Sequence, residues 1–540
     1  MPKTFLKYLI GALLLCGCYS AHKNEDGVFL YNEQSGIASL DPAFAKNQSI
    51  IWAVHQLYNT LVEVDSNLTI KPSLATSWTV SADKKIYRFV LRSDVKFHDH
   101  PAFTGGKGRT MVAADVVYSL HRILDKSIAS PGAWIFRDKV DSVQPFVAVN
   151  DTTVDVRLQR PYPPILGILS MQYCSIVPKE VVAATGTQFR RQPVGTGPFQ
   201  FVAWDEGGAL ILKKNPAYFE RDAAGTRLPY LNGVKVSFYD SKATEFLLFR
   251  QGKLHFMNDI DASFKDEVLT KKGTLRPEWQ GKIQLNKHPY LNIEYLGILV
   301  DSNNALLQQA PTKMKAVRQA INYGFDREKM MLYLRNSIGK PANAGFVPMG
   351  LPSFNADKVK GYLYKPEESR RLLRNAGFDG VRNRPKITLH TIPLYADLAA
   401  YIARALSEVG FDVRVEAVQK SLLLEMTSNS RALFFRGSWI ADYPDAENYL
   451  SVFYSKNPAP PNYTRYHSPK FDALFEQALT ETSDSLRYRL YQQADSVMMQ
   501  GARLRPLWYH EALHLVQPSV QGFKPNALNL LELRYTTINN

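Results

Sequence analysis

An α/β fold, large enough for several domains or two large lobes, is predicted by three features of the sequence. The chain has 540 residues with 45% hydrophobic content, far more than one core can use. Alternating strand patterns at 234–239 and 387–391 are interleaved with helical spacing such as that of 396–409, the order that builds sheets covered by helices. Only three cysteines occur, two of them in the first 18 residues, so a structural disulfide is excluded and stability must come from apolar packing.

The first residues read as an export signal. Lys3 and Lys7 form a basic start, residues 9–15 are apolar, and Leu15-Cys-Gly-Cys18 follows. That apolar run is too short to span a bilayer, and no later segment has the apolar length of a transmembrane helix. Residues 1–17 are therefore assigned to a signal peptide and 18–27 to a polar tether. The formal net charge of +15 includes Lys3 and Lys7. Its scattered cations, with no nucleic-acid-binding motif among them, point to a solvated surface near an anionic membrane rather than to a nucleic acid.

Past the tether, residues 28–31 read as a strand, and Pro42 enforces a turn at Ser39-Leu-Asp-Pro42. Residues 49–62 place Ile50, Val54, Leu57, Tyr58 and Leu61 on one helical face. Residues 85–92 alternate as a strand, and Lys96-Phe-His-Asp-His100 reads as the end of that hairpin. Thr110 is positioned to cap a helix over 112–124, with Asp115 in its first turn.

The densest concentration of chemistry is Arg436-Gly-Ser-Trp-Ile-Ala-Asp-Tyr-Pro-Asp-Ala-Glu-Asn-Tyr-Leu450. An apolar run, 432–435, leads into it as a buried strand. Asp442, Asp445 and Glu447 crowd its end, and carboxylates this close together require partners. One of them meeting a ligand and two of them shaping a turn around Pro444 are both open at this point.

Three other sites invite a catalytic reading. His510-Glu-Ala-Leu-His514 fits the zinc-peptidase pattern, with Glu532 as a third ligand, but that chemistry needs a helix and the flanking prolines argue for extended chain. His98 and His100 flank Asp99 in a turn, at metal spacing or simply as a solvated hairpin end. Gly195-Thr-Gly197 is followed by Pro198, which removes a donor where a phosphate-cradling helix would begin. No nucleophile elbow appears. No catalytic residue, metal or cofactor is assigned.

Several motifs fall in a recognisable order. They include Ser39-Leu-Asp-Pro42, Pro72-Ser-Leu-Ala-Thr-Ser-Trp78, Ala114-Asp-Val116, Pro193-Val-Gly-Thr-Gly-Pro-Phe199, Leu228-Pro-Tyr-Leu-Asn-Gly-Val234, Val317-Arg-Gln-Ala-Ile-Asn322 and the stretch around Trp439. In this they resemble the large extracytoplasmic solute-binding proteins of peptide ABC transporters, over nearly the whole mature chain. The resemblance implies a two-lobed clamp of the periplasmic-binding-protein kind, with three domains and mixed sheets covered by helices. Domain I of the first lobe would comprise 28–61, 180–284 and 510–540. Domain II, inserted in that lobe, would comprise 62–179. Domain III, the second lobe, would comprise 285–509.

By the same resemblance Leu15 to Cys18 is similar to a lipobox, with Cys18 acylated to anchor a monomeric receptor. This receptor would bind short peptides and pass them to an ABC permease. Asp442, three residues after Trp439, would meet the peptide's ammonium, while the backbone of Ser438 and Ile440 would pair with its main chain. Trp439 would wall a side-chain pocket. Arg436 matches a position that in some members meets a terminal carboxylate, and Lys46, Asn47 and Gln48 would offer the opposite edge of the cleft. His255 and the loop 105–109 depart from the family pattern, and the abundant Lys and Arg would bias the cleft toward acidic peptides. Relatives that bind nickel chelates, haem or oligosaccharides leave a non-peptide ligand open, as do an exported peptidase built on His510, Glu511 and His514, and a clamp retained only as a structural module.

Overall fold

The structure is a computed structural model that describes residues 26–379 and 381–539. Cys18 and the signal segment therefore lie outside the described residues. Among the described residues one mixed eleven-stranded sheet runs through both lobes. In the first lobe it comprises Phe199–Asp205, Ala209–Lys214, Gly233–Ser237, Val28–Asn32 and Phe256–Asn258, in that spatial order. In the second, Phe434–Ile440 is flanked by Lys386–Thr391, and Asp412–Ala417 forms the outer edge.

Two long antiparallel strands, Gln284–Ile298 and Leu504–Val516, join the two halves. Their pairing runs from Gln284 opposite Val516 to Gly297 opposite Leu504, and it slips between Pro289 and Ile293. Pro289 has no N–H to give the ladder, so a break there is the expected place for the crossing to bend.

A separate antiparallel sheet lies wholly within residues 75–157, in the order Ala75–Val80, Ile86–Leu91, Thr153–Arg157, Phe146–Asn150. The helix Ala113–Leu124 covers it with buried Val116, Leu120 and Ile123. Its first turn is closed by Asp115, whose carboxylate accepts the Val112 N–H at 2.9 Å. Thr110 is not the cap, because it is drawn into a bridge with Lys96.

The helix expected over 49–62 spans Gln48–Leu57. It stops where Gly195-Thr-Gly197 presses on it. The Gly197 N–H bonds the Leu57 carbonyl at 3.0 Å, and a Cβ on Gly197 would lie 2.3 Å from the Leu57 carbonyl carbon. These glycines thus permit close backbone packing and do not cradle a phosphate. His98 is wedged against the same turn, with Nε2 3.0 Å from the Gly197 carbonyl. It is buried, not the solvated hairpin end that spacing suggested, and burial holds its imidazole down at about 4.

The zinc-peptidase alternative is overturned by the fold. Residues 510–514 lie in the strand Leu504–Val516, which places His510 and His514 roughly 13 Å apart along the chain instead of one helical turn apart. His514 bonds Asn529 at 2.9 Å, Glu511 accepts the Gly339 N–H at 3.0 Å, and Glu532 lies beside His55 and Arg534. Among the described residues no cluster of three His, Cys, Asp or Glu is arranged to hold a metal, and no helix is long and apolar enough to cross a membrane.

Candidate functional site

The strand Phe434–Ile440 begins inside the second lobe and ends at its surface. On one side it pairs along its full length with Gln284–Ile298. On the other, Lys386–Thr391 pairs only with Phe434 and Phe435. The Ala441 N–H reaches the Leu291 carbonyl at 2.8 Å, and the Leu433 carbonyl accepts the Leu299 N–H at 2.9 Å. Odd-numbered residues here thus turn their backbone groups toward the long strand. Ser438 and Ile440 turn theirs the other way, onto an edge that no described strand occupies, and Ile440 is 50% exposed.

At the end of this edge the three crowded carboxylates separate into two kinds. Asp445 is buried, accepts the Glu447 N–H at 2.9 Å and faces Arg487 at 3.3 Å. Glu447 is buried and accepts hydroxyls from Tyr443 and, at 3.1 Å, Tyr162. Asp442 differs: among the described residues its side chain has one hydrogen-bond donor, the Asn448 amide at 3.3 Å, and no cation pairs with it. It reaches solvent, yet surrounding protein displaces enough water to raise its carboxyl above the ordinary range, against the lowering effect of Asn448. Tyr173, from the first lobe, lies within reach of that charge. Burial and then Asp442 raise its phenol to about 12.

Asn448 also accepts the Trp439 indole N–H at 3.0 Å and the Asp442 backbone N–H at 3.3 Å. Those two donors fix the amide's orientation and leave its NH2 toward the Asp442 carboxylate. Nothing in the spacing singles out Asn448, because its role depends on a one-turn helix, Glu447–Leu450, that folds it back over the strand end.

Arg436 is not free to receive a carboxylate. It is mostly buried, meets Glu294 at 2.5 Å and stacks on Tyr395 at 3.9 Å. Glu294 lies 142 residues away but is a near neighbour by register, opposite Ser438. His510 and Tyr395 approach the same carboxylate at 3.3 and 3.4 Å. Arg335, close enough to act on Tyr395, lies 5.3 Å over the Trp508 ring, and among the described residues no carboxylate forms a salt bridge with it. Of the three residues expected on the opposite edge, Asn47 spends its side chain capping Gln48–Leu57, Gln48 approaches Asn258 at 3.4 Å, and Lys46 is exposed.

Residues 69–461 match the family model described as bacterial extracellular solute-binding proteins, family 5. The chain belongs to that family. Its members are solute-binding receptors rather than enzymes. The chain is 23% identical to the dipeptide-binding protein DppE of Bacillus subtilis, covering 96% of this chain and 93% of that one. It is 27% identical to heme-binding protein A of Haemophilus influenzae, over 93% and 91%. Among solved structures it resembles the periplasmic binding protein DppA of Helicobacter pylori in complex with the peptide STSA, at TM-score 0.74 and 25% identity, over 95% of this chain and 98% of that one. The fold of the unliganded murein tripeptide-binding protein MppA matches at TM-score 0.80 and 22% identity, over 95% and 98%.

Proposed function

We propose that this solute-binding protein captures short peptides between its lobes and delivers them to an ABC import permease while Cys18 anchors it to a membrane by lipid. The observation that carries the peptide reading is the open backbone edge at Ser438 and Ile440 leading to the unpaired carboxylate of Asp442. An added strand satisfies such an edge through main-chain hydrogen bonds that ignore the ligand's side chains. A terminal ammonium is the natural partner for a carboxylate that lacks a cation. Trp439 stands beside that end, its indole fixed by Asn448. Arg335 supplies a cation for a ligand carboxylate, while Arg436, neutralised by Glu294, serves as pocket wall. Relatives named for dipeptides support this reading, and the relative named for haem makes haem the comparison ligand. The test is a thermal-shift screen of the chain from residue 26 onward against di- to pentapeptides, their N-acetylated forms, haem and oligosaccharides. Stabilisation by free peptides and loss of it on acetylation is the result expected; stabilisation by haem or sugar alone would replace the peptide reading.

A further inference from the structure

Glu447 and Asn448 are consecutive residues of a one-turn helix, yet they serve different partners. Asn448 is buried and joins three groups of the ligand edge: the Trp439 indole, the Asp442 backbone and the Asp442 carboxylate. Glu447 is buried and receives the hydroxyl of Tyr162 at 3.1 Å. Tyr162 belongs to the segment after the four-stranded sheet, in the first lobe, and its hydroxyl also lies 3.1 Å from that of Tyr443. Gly167, in the same segment, also faces this contact, and a Cβ there would sit at ordinary contact distance, 3.5 Å, from Tyr443 and Pro444. The lobes therefore meet on the helix that holds the anchor.

We propose that the helix Glu447–Leu450 couples ligand capture to the contact between the lobes, Asn448 positioning Asp442 and Glu447 clasping Tyr162. The proposal rests on Asp442 as the amine anchor. Glu447 and Asn448 are adjacent in this single turn, so a displacement of its backbone moves both side chains. An ammonium that draws on Asp442 and Asn448 therefore loads Glu447. The groups facing Asp442 are Asn448, Tyr173 and Tyr449. Those facing Glu447 are Tyr162, Tyr443, Asp445, Tyr491 and Lys139. Only Lys139 among them is a cation.

The test is a double-mutant cycle on residues that do not touch, Asn448→Ala and Tyr162→Phe, with tetraalanine as the probe. Independent sites give additive losses; coupling predicts that the double variant binds at least ~5-fold more tightly than the product of the single losses. Additive losses overturn the proposal. A ligand-free readout separates its failure from failure of the peptide reading: carbon-detected NMR titration of the Asp442 carboxyl. Asn448→Ala removes its hydrogen-bond donor and should move its midpoint up, and Asn448→Ser, which restores a donor, should move it back. A midpoint unchanged in Asn448→Ala overturns the positioning role even if tetraalanine does not bind. A wild type that binds tetraalanine and N-acetyl-tetraalanine equally would instead remove the amine anchor, and the proposal with it.

Discussion

Replacing Asp442 by asparagine keeps the shape of the strand end and removes one charge. Among the described residues that charge has one amide donor and no cation, so a bound ammonium would be its principal partner. Truncating one member of a desolvated charge pair costs about 2–5 kcal/mol. The lower end applies here because Asp442 retains contact with solvent, and about 2 kcal/mol corresponds to roughly thirtyfold in Kd. Isothermal titration of an unmodified short peptide should show that loss, while the N-acetylated peptide should bind the wild type and Asp442→Asn with similar, weak affinity. The pH dependence has a definite sign. Because burial raises the Asp442 carboxyl, affinity should hold above that raised value and fall as pH drops through it, at higher pH than an ordinary aspartate would allow; the acid loss should vanish in Asp442→Asn. Equal Kd values in wild type and variant, or an acid limb that survives the substitution, would refute the assignment.

Three further outcomes follow from other parts of the structure. Glu294→Ala leaves the Arg436 guanidinium mostly buried without its carboxylate, which should cost about 3–5 kcal/mol by denaturant unfolding, and adding Arg436→Met should recover most of it. His98 binds a proton in the folded state only near pH 4 but near 6.5 when unfolded, so its contribution is present above pH 6.5 and is lost as pH falls toward 4. His98→Gln should flatten that acid limb by about 3 kcal/mol in pH-resolved unfolding curves. Cys18→Ser should move the protein from the membrane fraction to the soluble fraction on cell fractionation; retention in the membrane would count against lipid anchoring there.

The sequence made local structure legible where periodicity and packing agree. The strand expected at 28–31 forms as Val28–Asn32, the helix expected over 396–409 as Ala396–Glu408, and the strand expected from the apolar run 432–435 as Phe434–Ile440. Where one side chain decides a boundary, spacing said less: Val112 occupies the cap because Asp115 reaches back to it, and Leu57 ends its helix because two glycines distant in sequence press on its carbonyl. At the site, the position of Asp442 at a strand end was readable, whereas its difference from Asp445 and Glu447 was not. That difference comes from Arg487, Tyr443 and Tyr162, which topology brings together. The same holds for Arg436, which looks like a free cation until Glu294 is placed beside it by strand register. The H-E-x-x-H pattern misled for the converse reason, since a four-residue spacing has chemical meaning only on a helix.

The most direct measurement is native mass spectrometry of the chain from residue 26 onward, purified from cells under mild conditions, followed by identification of what it releases. The account predicts a set of short peptides with free amino termini, present on the wild type and missing from Asp442→Asn. A haem, a sugar or a metal chelate released from the wild type, or peptides held equally by both proteins, would contradict it.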